Sequence, residues 1–334
     1  MSAGPSSSRP ALGAPAERAA VGTRPSWAYL GPPGTFTEMA LRGMPQAEGA
    51  DLVPCTSVPA ALDKVRAGEV TGALVAMENS LEGAIAVTLD DLAQREPLVI
   101  TAEVVLAVRF ALMARPGTSL DDVRRVATHS HAEAQTRQWM STHLPDAVVL
   151  PASSNSAAAA ALRADEGETT HDAAIAHASA AALYGLDVLA DDIGDADAST
   201  RFVLVQRPCP PPEPTGADKT TLALYMREDH SGALMEILTE FAVRGINLTR
   251  IESRPTKVAL GHYFFVVDAE GHVADERLGE ALMGLRRVCA QVRYLGSYPR
   301  HDGEEPEVRQ GTSDEDFRTA SAWLGAVREG RTTS

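Results

Sequence analysis

The stretch that decides the fold is DDIGDADASTRFVLV, residues 191–205. Acidic and small residues come first, and then the hydroxyl, the cation and the aromatic ring of Thr200, Arg201 and Phe202. The apolar run 203–205 that follows is typical of a buried strand. Side chains at the end of such a strand are held rigidly, as a binding cleft requires. We therefore predict that Thr200 enters a pocket built by the residues before this stretch, and that the residues after it form a separate control module.

The composition limits the class of protein. The chain has 334 residues, of which 44% are hydrophobic and 22% charged, as in soluble globular proteins. This length suits two or three domains of ~100–200 residues each. The formal net charge of −15 argues against nucleic acid as a partner, and an anionic ligand must be held by local donors. No apolar run approaches the ~20 residues of a membrane helix, so no membrane contact is predicted.

The cysteines and the two chain ends complete this outline. Cys55, Cys209 and Cys289 are scattered, which argues against a disulfide framework or a zinc site and favours a cytoplasmic location. Residues 1–26 lack the apolar core of a secretory signal and predict a disordered N-terminal extension, with a transit peptide as the alternative. Residues 300–334 predict an acidic tail with a short helix, in which Phe317, Ala320, Leu324 and Val327 share one side.

Strand-like and helix-like segments alternate over residues 27–207, which predicts an α/β sheet. Four of the strand-like segments end in small or polar turns, at 31–37, 78–80, 128–131 and 153–156. Each turn is predicted to open a helix, whose free N–H groups and partial positive charge attract anions. Several such helix starts around one crevice would bind carboxylates. The alternative is that these turns are the ordinary junctions of any α/β fold.

A second region begins after a proline-rich linker at 208–218. Beyond it, alternating apolar residues and two amphipathic segments give the order β-α-β-β-α-β over residues 219–299, which is the ferredoxin-like arrangement. The small size of this region and its position behind a linker suit a regulatory domain. We accordingly expect a chain cut before Lys219 to remain active and to lose regulation.

These motifs together resemble those of the monofunctional prephenate dehydratases over residues 27–299. The segment YLGPPGTFTE at 29–38 is similar to the opening motif of that family, and ENSLEG at 78–83 to its second motif. The triplet at 200–202 is similar to its signature. The later region resembles an ACT domain of the phenylalanine-binding type, with GAL at 232–234 and ESRP at 252–255.

The resemblance implies a fold and an activity. The fold is a two-lobed catalytic domain similar to type II periplasmic binding proteins, followed by the ACT domain. Lobe 1 would comprise about residues 27–103 and 187–207, and lobe 2 about residues 104–186. The implied reaction converts prephenate to phenylpyruvate, water and CO2, with feedback by L-phenylalanine. The family also implies a homodimer or homotetramer, and neither a metal nor an organic cofactor.

The triplet is the predicted catalytic element. The family assigns proton donation to the threonine; because a threonine hydroxyl is a poor acid, we interpret Thr200 as a hydrogen-bond donor or relay to the leaving oxygen. Arg201 is expected to pair with a carboxylate or with one of the nearby aspartates, and Phe202 to pack. Glu78 is expected to cap a helix rather than act as an acid with a raised pKa. The predicted substrate-binding residues are Thr35, Thr37, Glu78, Asn79, Ser80, Ser154 and Asn155.

The effector site is predicted in the ACT domain. N–H groups of the loop before its first helix would receive an amino acid's carboxylate, and Gly232 would let the backbone approach closely. Asn247 would bind across the neighbouring subunit, while Leu234 and Leu248 would wall the phenyl ring. The alternative is that Ser231 and Gly232 only cap the helix. The full predicted set is Ser231, Gly232, Ala233, Leu234, Asn247, Leu248, Glu252, Ser253, Arg254 and Pro255.

The sequence departs from the family pattern in three places. Asp197 and Ala198 lie where an asparagine is usual, Ser130 replaces a proline, and His177 replaces a serine. Three other functions therefore stay open: a prephenate decarboxylase, an arogenate dehydratase relative and a non-catalytic amino-acid sensor. The histidines at 129, 131 and 177 are interpreted as caps or surface groups rather than metal ligands.

Overall fold

The computed structural model describes residues 24–163, 169–228, 230–257 and 262–331. Most of the predicted N-terminal extension, residues 1–26, and Asp229 of the predicted effector loop lie outside the described residues. In chain order, the strands are β1 (Ser26–Leu30), β2 (Asp51–Cys55), β3 (Gly72–Asn79), β4 (Gly83–Ala84), β5 (Val99–Val108), β6 (Ala111–Ala114), β7 (Arg125–Thr128), β8 (Val148–Pro151), β9 (Ala173–Ala176), β10 (Asp187–Ala190), β11 (Ala198–Gln206), β12 (Asp218–Tyr225), β13 (Leu248–Pro255), β14 (Tyr263–Glu270) and β15 (Gln291–Pro299). The helices are α1 (Phe36–Arg42), α2 (Val58–Ala67), α3 (Ala86–Gln94), α4 (Ser130–His143), α5 (Asn155–Ala160), α6 (Ala178–Tyr184), α7 (Ala233–Ala242), α8 (Glu276–Val288) and α9 (Asp314–Arg328).

Two mixed sheets form the two lobes. The first has the strand order β2-β1-β3-β11-β5, with β4 on β3, and the second has the order β10-β6-β9-β7-β8. The chain crosses from one lobe to the other around Arg109, between β5 and β6. It returns between Ala190 and Ala198 rather than before residue 187, because β10 pairs with β6 of the second lobe. Residues 104–108 likewise remain with lobe 1, because β5 pairs with β11 along its length.

The C-terminal region confirms the predicted β-α-β-β-α-β order, with an antiparallel sheet in the order β13-β14-β12-β15. Helices α7 and α8 cover one face of this sheet and bury Ile237, Phe241 and Leu278. No strand or helix lies between Gln206 and Asp218, where the linker is predicted. The helix of the tail is confirmed as α9, but its predicted apolar side is largely exposed at Leu324 and Val327.

The other face of the C-terminal sheet lies against lobe 1. Phe264, Val266 and Tyr298 belong to the same buried core as Val203 and Val205 of β11. The backbones of the two domains come close together at Gly296, where a Cβ atom would lie 2.2 Å from the carbonyl oxygen of Ile100. The φ angle of Gly296, +141°, also favours glycine. The C-terminal domain and lobe 1 therefore share one core and are not merely tethered by the linker.

One predicted helix start is wrong. The turn at 78–80 does not open a helix, because β3 continues through Asn79 and a short turn leads into β4. Helix α3 begins only at Ala86, with Ile85 as its N-cap residue. In the described part of the chain, no helix is long and apolar enough to span a membrane.

Candidate active site

A cavity of about 630 Å³ lies between the two lobes, a volume typical of small-molecule sites. Lobe 1 contributes residues 30–37 and 54–56 to its wall, and lobe 2 contributes His129, residues 153–156 and His177. Four of the predicted substrate-binding residues, Thr35, Thr37, Ser154 and Asn155, therefore lie in one cavity. Among the described residues, its wall contains no Asp, Glu, Lys or Arg side chain.

Helix N-termini take the place of charged side chains in this wall. The N-cap residues of α1, α4, α5 and α6 all line the cavity; they are Thr35, His129, Ser154 and His177. Three of the four predicted turns thus converge on one crevice, and His177 adds a helix start that was not among them. First-turn N–H groups and the helix dipoles favour a negatively charged ligand. The cavity can therefore receive carboxylates although the chain as a whole is acidic.

The titratable groups of the wall are neutral near pH 7. Burial lowers the pKa of His177, and burial followed by the neighbouring His131 lowers the pKa of His129. Their Nδ1 atoms accept hydrogen bonds from Ser179 N and His131 N, at 3.1 and 3.3 Å, so both histidines are the helix caps that the sequence predicts. Burial raises the pKa of the Cys55 thiol, which therefore stays protonated.

Hydrogen bonds join the two lobes on either side of the cavity. The carbonyl oxygen of Pro33 accepts from the hydroxyls of Ser156 and Tyr184, the latter at 2.7 Å. At a second place, Gln135 Nε2 donates to Glu82 Oε1 at 3.0 Å, and His131 Nδ1 lies 3.1 Å from Glu82 Oε2. Sequence reasoning missed this contact, since Glu82 and Gln135 are far apart in the chain and neither interrupts a local pattern.

Thr200 forms a hydrogen-bonded pair with Asn79 on the neighbouring strand. Asn79 Nδ2 donates to Thr200 Oγ1 at 3.0 Å. The orientation of the amide is fixed, because Asn79 Oδ1 accepts from the backbone N–H groups of Leu81 and Glu82 at 2.9 and 3.1 Å. Thr200 Oγ1 is consequently an acceptor in this pair, and its own hydrogen remains available for donation to another group.

The turn after Asn79 is clamped to β11. Ser80 N donates to Ser199 O at 2.9 Å, and Ser199 N donates to Ser80 Oγ at 2.9 Å. The hydroxyl oxygen of Ser80 thus has a structural partner, which the prediction of a substrate contact did not anticipate. The clamp holds Asn79 and Thr200 in register across the two strands.

The triplet divides between the two faces of the lobe 1 sheet. Phe202 is buried with Leu74, Leu204 and Tyr29 beneath α1, and Thr200 lies on the same face because strand residues alternate. Phe202 is accordingly a packing residue. Phe36 packs against this core and also lines the cavity. Thr200 itself is 9% exposed and is not among the wall residues of the cavity, so its predicted entry into the pocket is not seen.

Arg201 points the other way, towards the C-terminal domain. Its Nε donates to Glu103 Oε2 and its Nη1 to Asp268 Oδ2, both at 2.6 Å, and its Nη2 donates to Tyr298 OH at 2.8 Å. Arg201 was expected to pair with a carboxylate or with one of the nearby aspartates; it pairs with carboxylates, and these are not the aspartates around 191–197. Its partners lie on β5, β14 and β15, on the face opposite to Thr200.

Glu78 also contradicts its predicted role as a helix cap. Its carboxylate lies 3.6 Å from Arg201 Nη1 and 3.3 Å from Arg250 Nε. It lines a second cavity of about 460 Å³, between lobe 1 and the C-terminal domain, together with Asn79, Ser80 and Arg201. Sequence reasoning did not find Arg250 or Asp268, which complete this group from the other domain.

The two positions where an asparagine is usual differ in burial. Asp197 is exposed, while Ala198 is buried at the start of β11.

In the C-terminal domain, Gly232 is the N-cap residue of α7 with φ +95°, a conformation that favours glycine. Arg254 of the ESRP motif makes two hydrogen bonds to Asp90 of α3, both at 3.1 Å, and so contacts the catalytic region. Within the described residues, no group of three His, Cys, Asp or Glu side chains is arranged to hold a metal ion.

The two lobes with an anion-receptive cleft, joined to a ferredoxin-like domain, define a ligand-binding catalytic domain with an attached regulatory domain. A prephenate dehydratase family profile matches residues 27–210, and an ACT domain profile matches residues 220–287. The chain therefore belongs to the prephenate dehydratase family.

Two individual relatives carry the name of this family, and a third carries a different one. The chain is 47% identical over 305 residues to a prephenate dehydratase of Amycolatopsis methanolica, covering 91% of this chain and 98% of the relative. A crystal structure of prephenate dehydratase from Arthrobacter aurescens in complex with L-Phe is 50% identical, with a TM-score of 0.87, covering 91% of this chain and 99% of that one. A structure described as GqqA, a novel type of quorum quenching acylase, is 32% identical, with a TM-score of 0.71, covering 82% of this chain and 97% of that one.

Proposed function

We propose that this chain converts prephenate to phenylpyruvate under feedback by L-phenylalanine. The observation that carries the catalytic half is the fixed donor orientation of Asn79 towards Thr200, at 3.0 Å. Because Thr200 Oγ1 accepts from Asn79, its hydrogen is free for donation. Thr200 is not in the cavity wall in this structure, so donation to the leaving hydroxyl requires the cleft to change shape around the substrate. Cleavage of the ring carboxylate releases CO2, and its bonding electrons form the aromatic ring as the C–O bond breaks. The departing oxygen takes a proton and leaves as water.

Aromatisation of the ring drives this reaction, so the protein mainly has to orient the substrate and assist the leaving group. The lobe–lobe cavity suits a dianion, since helix N-termini surround it and its wall is free of charged side chains among the described residues. Asn155 Oδ1 accepts from His129 N at 2.9 Å and from Thr128 Oγ1 at 3.1 Å. The amide nitrogen of Asn155 is therefore the group that it can offer to a carboxylate.

Acyl transfer, the activity named for one structural relative, is less well supported. It requires an activated nucleophile. In this cavity, burial raises the pKa of the Cys55 thiol, and the hydroxyl of Ser156 is hydrogen-bonded to the carbonyl oxygen of Pro33. Neither group has the character of an activated nucleophile, whereas the Thr200–Asn79 pair has the geometry of a donor.

Regulation is proposed for the C-terminal domain. A relative with this architecture binds L-Phe, and here Gly232 opens α7 in a conformation that presents N–H groups. Strand β13 is an edge strand with an exposed Ile251, which suits pairing with a second copy into a homodimer or homotetramer. Gly232→Val should abolish inhibition by L-phenylalanine and preserve kcat, because a β-branched residue is strained at this φ. A cytoplasmic location remains a prediction.

Product analysis tests the function directly. The purified chain is incubated with prephenate, and the product is identified by mass spectrometry and ultraviolet absorbance. Phenylpyruvate supports the dehydratase. A non-aromatic decarboxylated acid would instead identify a decarboxylase, and turnover of arogenate in preference to prephenate would identify an arogenate dehydratase. Absence of turnover with retained L-phenylalanine binding would identify a sensor.

A further inference from the structure

The Thr200–Asn79 pair has a counterpart on the other side of the same two strands. Arg201 and Glu78 are cross-strand partners, each one residue away from a member of the pair. Their side chains form an ion pair at 3.6 Å on the face turned to the C-terminal domain. A movement of either side chain along the sheet is therefore transmitted through a single backbone step to Thr200 or to Asn79.

Two residues of the C-terminal domain hold both of these side chains. Asp268, on β14, accepts from Arg201 at 2.6 Å and from Arg250 Nε at 2.9 Å. Arg250, on β13, also lies 3.3 Å from the carboxylate of Glu78. Arg250 thus reaches one neighbour of the pair directly and the other through Asp268.

Asp268 and the two arginines of this group are buried and ionised. Burial opposes the ionisation of Asp268, but the guanidinium groups of Arg201 and Arg250 outweigh it and hold the pKa of Asp268 well below its usual range. Thr221 Oγ1 donates to the second carboxylate oxygen at 2.7 Å. The side chains of Arg201 and Asp268 are 6% and 0% exposed, so salt in the solvent screens their attraction little.

Arg250 connects the group to an edge strand of the C-terminal sheet. It lies on the edge strand that also carries the ESRP motif at 252–255, where the effector is expected. Its Nη1 is buried and has no hydrogen-bond partner among the described residues, so Arg250 binds the group through Nε and Nη2 alone. A shift of β13 on binding of an effector would change its contacts with Asp268 and Glu78 together.

We propose that Arg250 is a positioning residue for the Thr200–Asn79 pair, and that L-phenylalanine inhibits by moving it. This inference rests on the proposed function, since it concerns the same catalytic pair and the same effector. Arg250 touches no substrate; it acts through Glu78 and through Asp268 with Arg201. Inhibition then consists of displacing a donor rather than blocking the cavity, so it lowers kcat and not substrate affinity.

The test uses the full chain with Arg250→Gln, assayed with prephenate in the presence and absence of L-phenylalanine. We expect kcat to fall about tenfold without effector while KM is unchanged, because the donor and not the substrate is displaced. Calorimetry should show L-phenylalanine binding at least as tightly as to the unaltered chain, because binding no longer has to displace Arg250 from its ion pairs, while its effect on kcat falls at least about fivefold. Arg250→Lys keeps the charge but loses the bidentate geometry. Its kcat and its inhibition should lie between those of the unaltered chain and those of Arg250→Gln. It supplies the same measurements if Arg250→Gln does not fold.

Asp90→Asn is the matched control. It breaks the ion pair of Arg254, on the same strand as Arg250, but that pair ends on α3 and not beside Thr200. We expect unaltered kcat from it and, at saturating L-phenylalanine, unaltered inhibition; saturation is required because Arg254 belongs to the predicted effector-binding set. Full inhibition of Arg250→Gln, loss of L-phenylalanine binding in it, or an equal loss of inhibition in Asp90→Asn at saturating L-phenylalanine would each overturn the proposal. If the unaltered chain neither turns over prephenate nor binds L-phenylalanine, the proposed function itself fails, and the role of Arg250 fails with it.

Discussion

The two large interfaces of this chain are built differently. The lobes meet around an open cavity and are joined by hydrogen bonds such as Gln135 to Glu82 and Tyr184 to Pro33. The catalytic and C-terminal domains meet through a continuous apolar core that includes Val203, Phe264 and Tyr298, with buried ion pairs beside it.

Because of this difference, the lobe–lobe interface permits movement and the domain interface transmits it. Exposed hydrogen bonds are exchanged for water at little cost, so the lobes can open and close around a ligand. A close-packed core with paired charges resists gradual deformation, so a displacement of the C-terminal domain is transmitted to lobe 1. Strand β11, which the structure describes in full, belongs to the second interface and contributes no residue to the cavity wall. Thr200 lies on its face towards the lobe 1 core beneath α1, and Arg201 on its face towards the C-terminal domain.

Removal of the C-terminal domain should have the largest effect. A chain cut before Lys219 loses the partners of the core around Val203, and each buried apolar side chain contributes ~1.5–3 kcal/mol. It also leaves Arg201 without Asp268 and Tyr298. We therefore replace the expectation of an active, unregulated fragment with that of an unstable one. Thermal unfolding followed by circular dichroism tests this, and a fragment that melts near the full chain would show that the shared core matters little.

Thr200→Ala probes the other face of the same strand. It should lower kcat by roughly 10²-fold, the usual scale of acid–base assistance, and leave the melting temperature almost unchanged. Steady-state kinetics with prephenate measure the first quantity and calorimetry the second. Thr200→Ser, which keeps the hydroxyl, is the control and should retain most of kcat. A near-normal kcat in Thr200→Ala would remove this residue from the mechanism.

Gly296→Ala tests how closely the domain interface is packed. The added Cβ would lie 2.2 Å from the carbonyl oxygen of Ile100, and overpacking of this kind costs ~1–3 kcal/mol. We expect a lower melting temperature. Gly279→Ala, in α8, is the control, because a Cβ there meets no atom within 4 Å. If both variants melt at the same temperature, the domain interface deforms as readily as the lobe–lobe cleft.

Gln135→Ala should have the smallest effect, since it removes one exposed hydrogen bond across the cleft. A net loss of ~0.5–1 kcal/mol from the closed state corresponds to a two- to fivefold rise in KM. Stability should not change. Gln138→Ala, one turn further along the same exposed helix face, controls for the loss of a glutamine. If KM responds no more to Gln135→Ala than to this control, the contact does not contribute to closure.

Local patterns in the sequence predict most of the fold. The helix starts at Thr35, His129 and Ser154 are confirmed because their cap residues and the strands before them are contiguous in the chain. The ACT domain is found for the same reason, as its order of elements depends on short-range periodicity. The helix start predicted at Glu78 is wrong, because a polar turn before a helix and one within a hairpin contain the same residue types.

The domain interface could not be predicted in full, because its members come from distant segments. Glu103, Asp268 and Tyr298 meet Arg201 only after three strands have been placed. One signal was nevertheless present. Alternation along a strand puts the first and third residues of the triplet on one face and the second on the other, so Arg201 had to point away from Thr200.

The shared core also bears on how the chain is made. Translation proceeds from the N-terminus, so lobe 1 leaves the ribosome long before residues 264–298 can cover Val203, Val205 and the guanidinium of Arg201. During that interval an apolar strand surface faces the solvent, and Arg201 has only its lobe 1 partners Glu78 and Glu103. Such a state is prone to aggregation and to capture by chaperones. If translation stops in the linker, the released fragment should therefore be prone to aggregation rather than constitutively active.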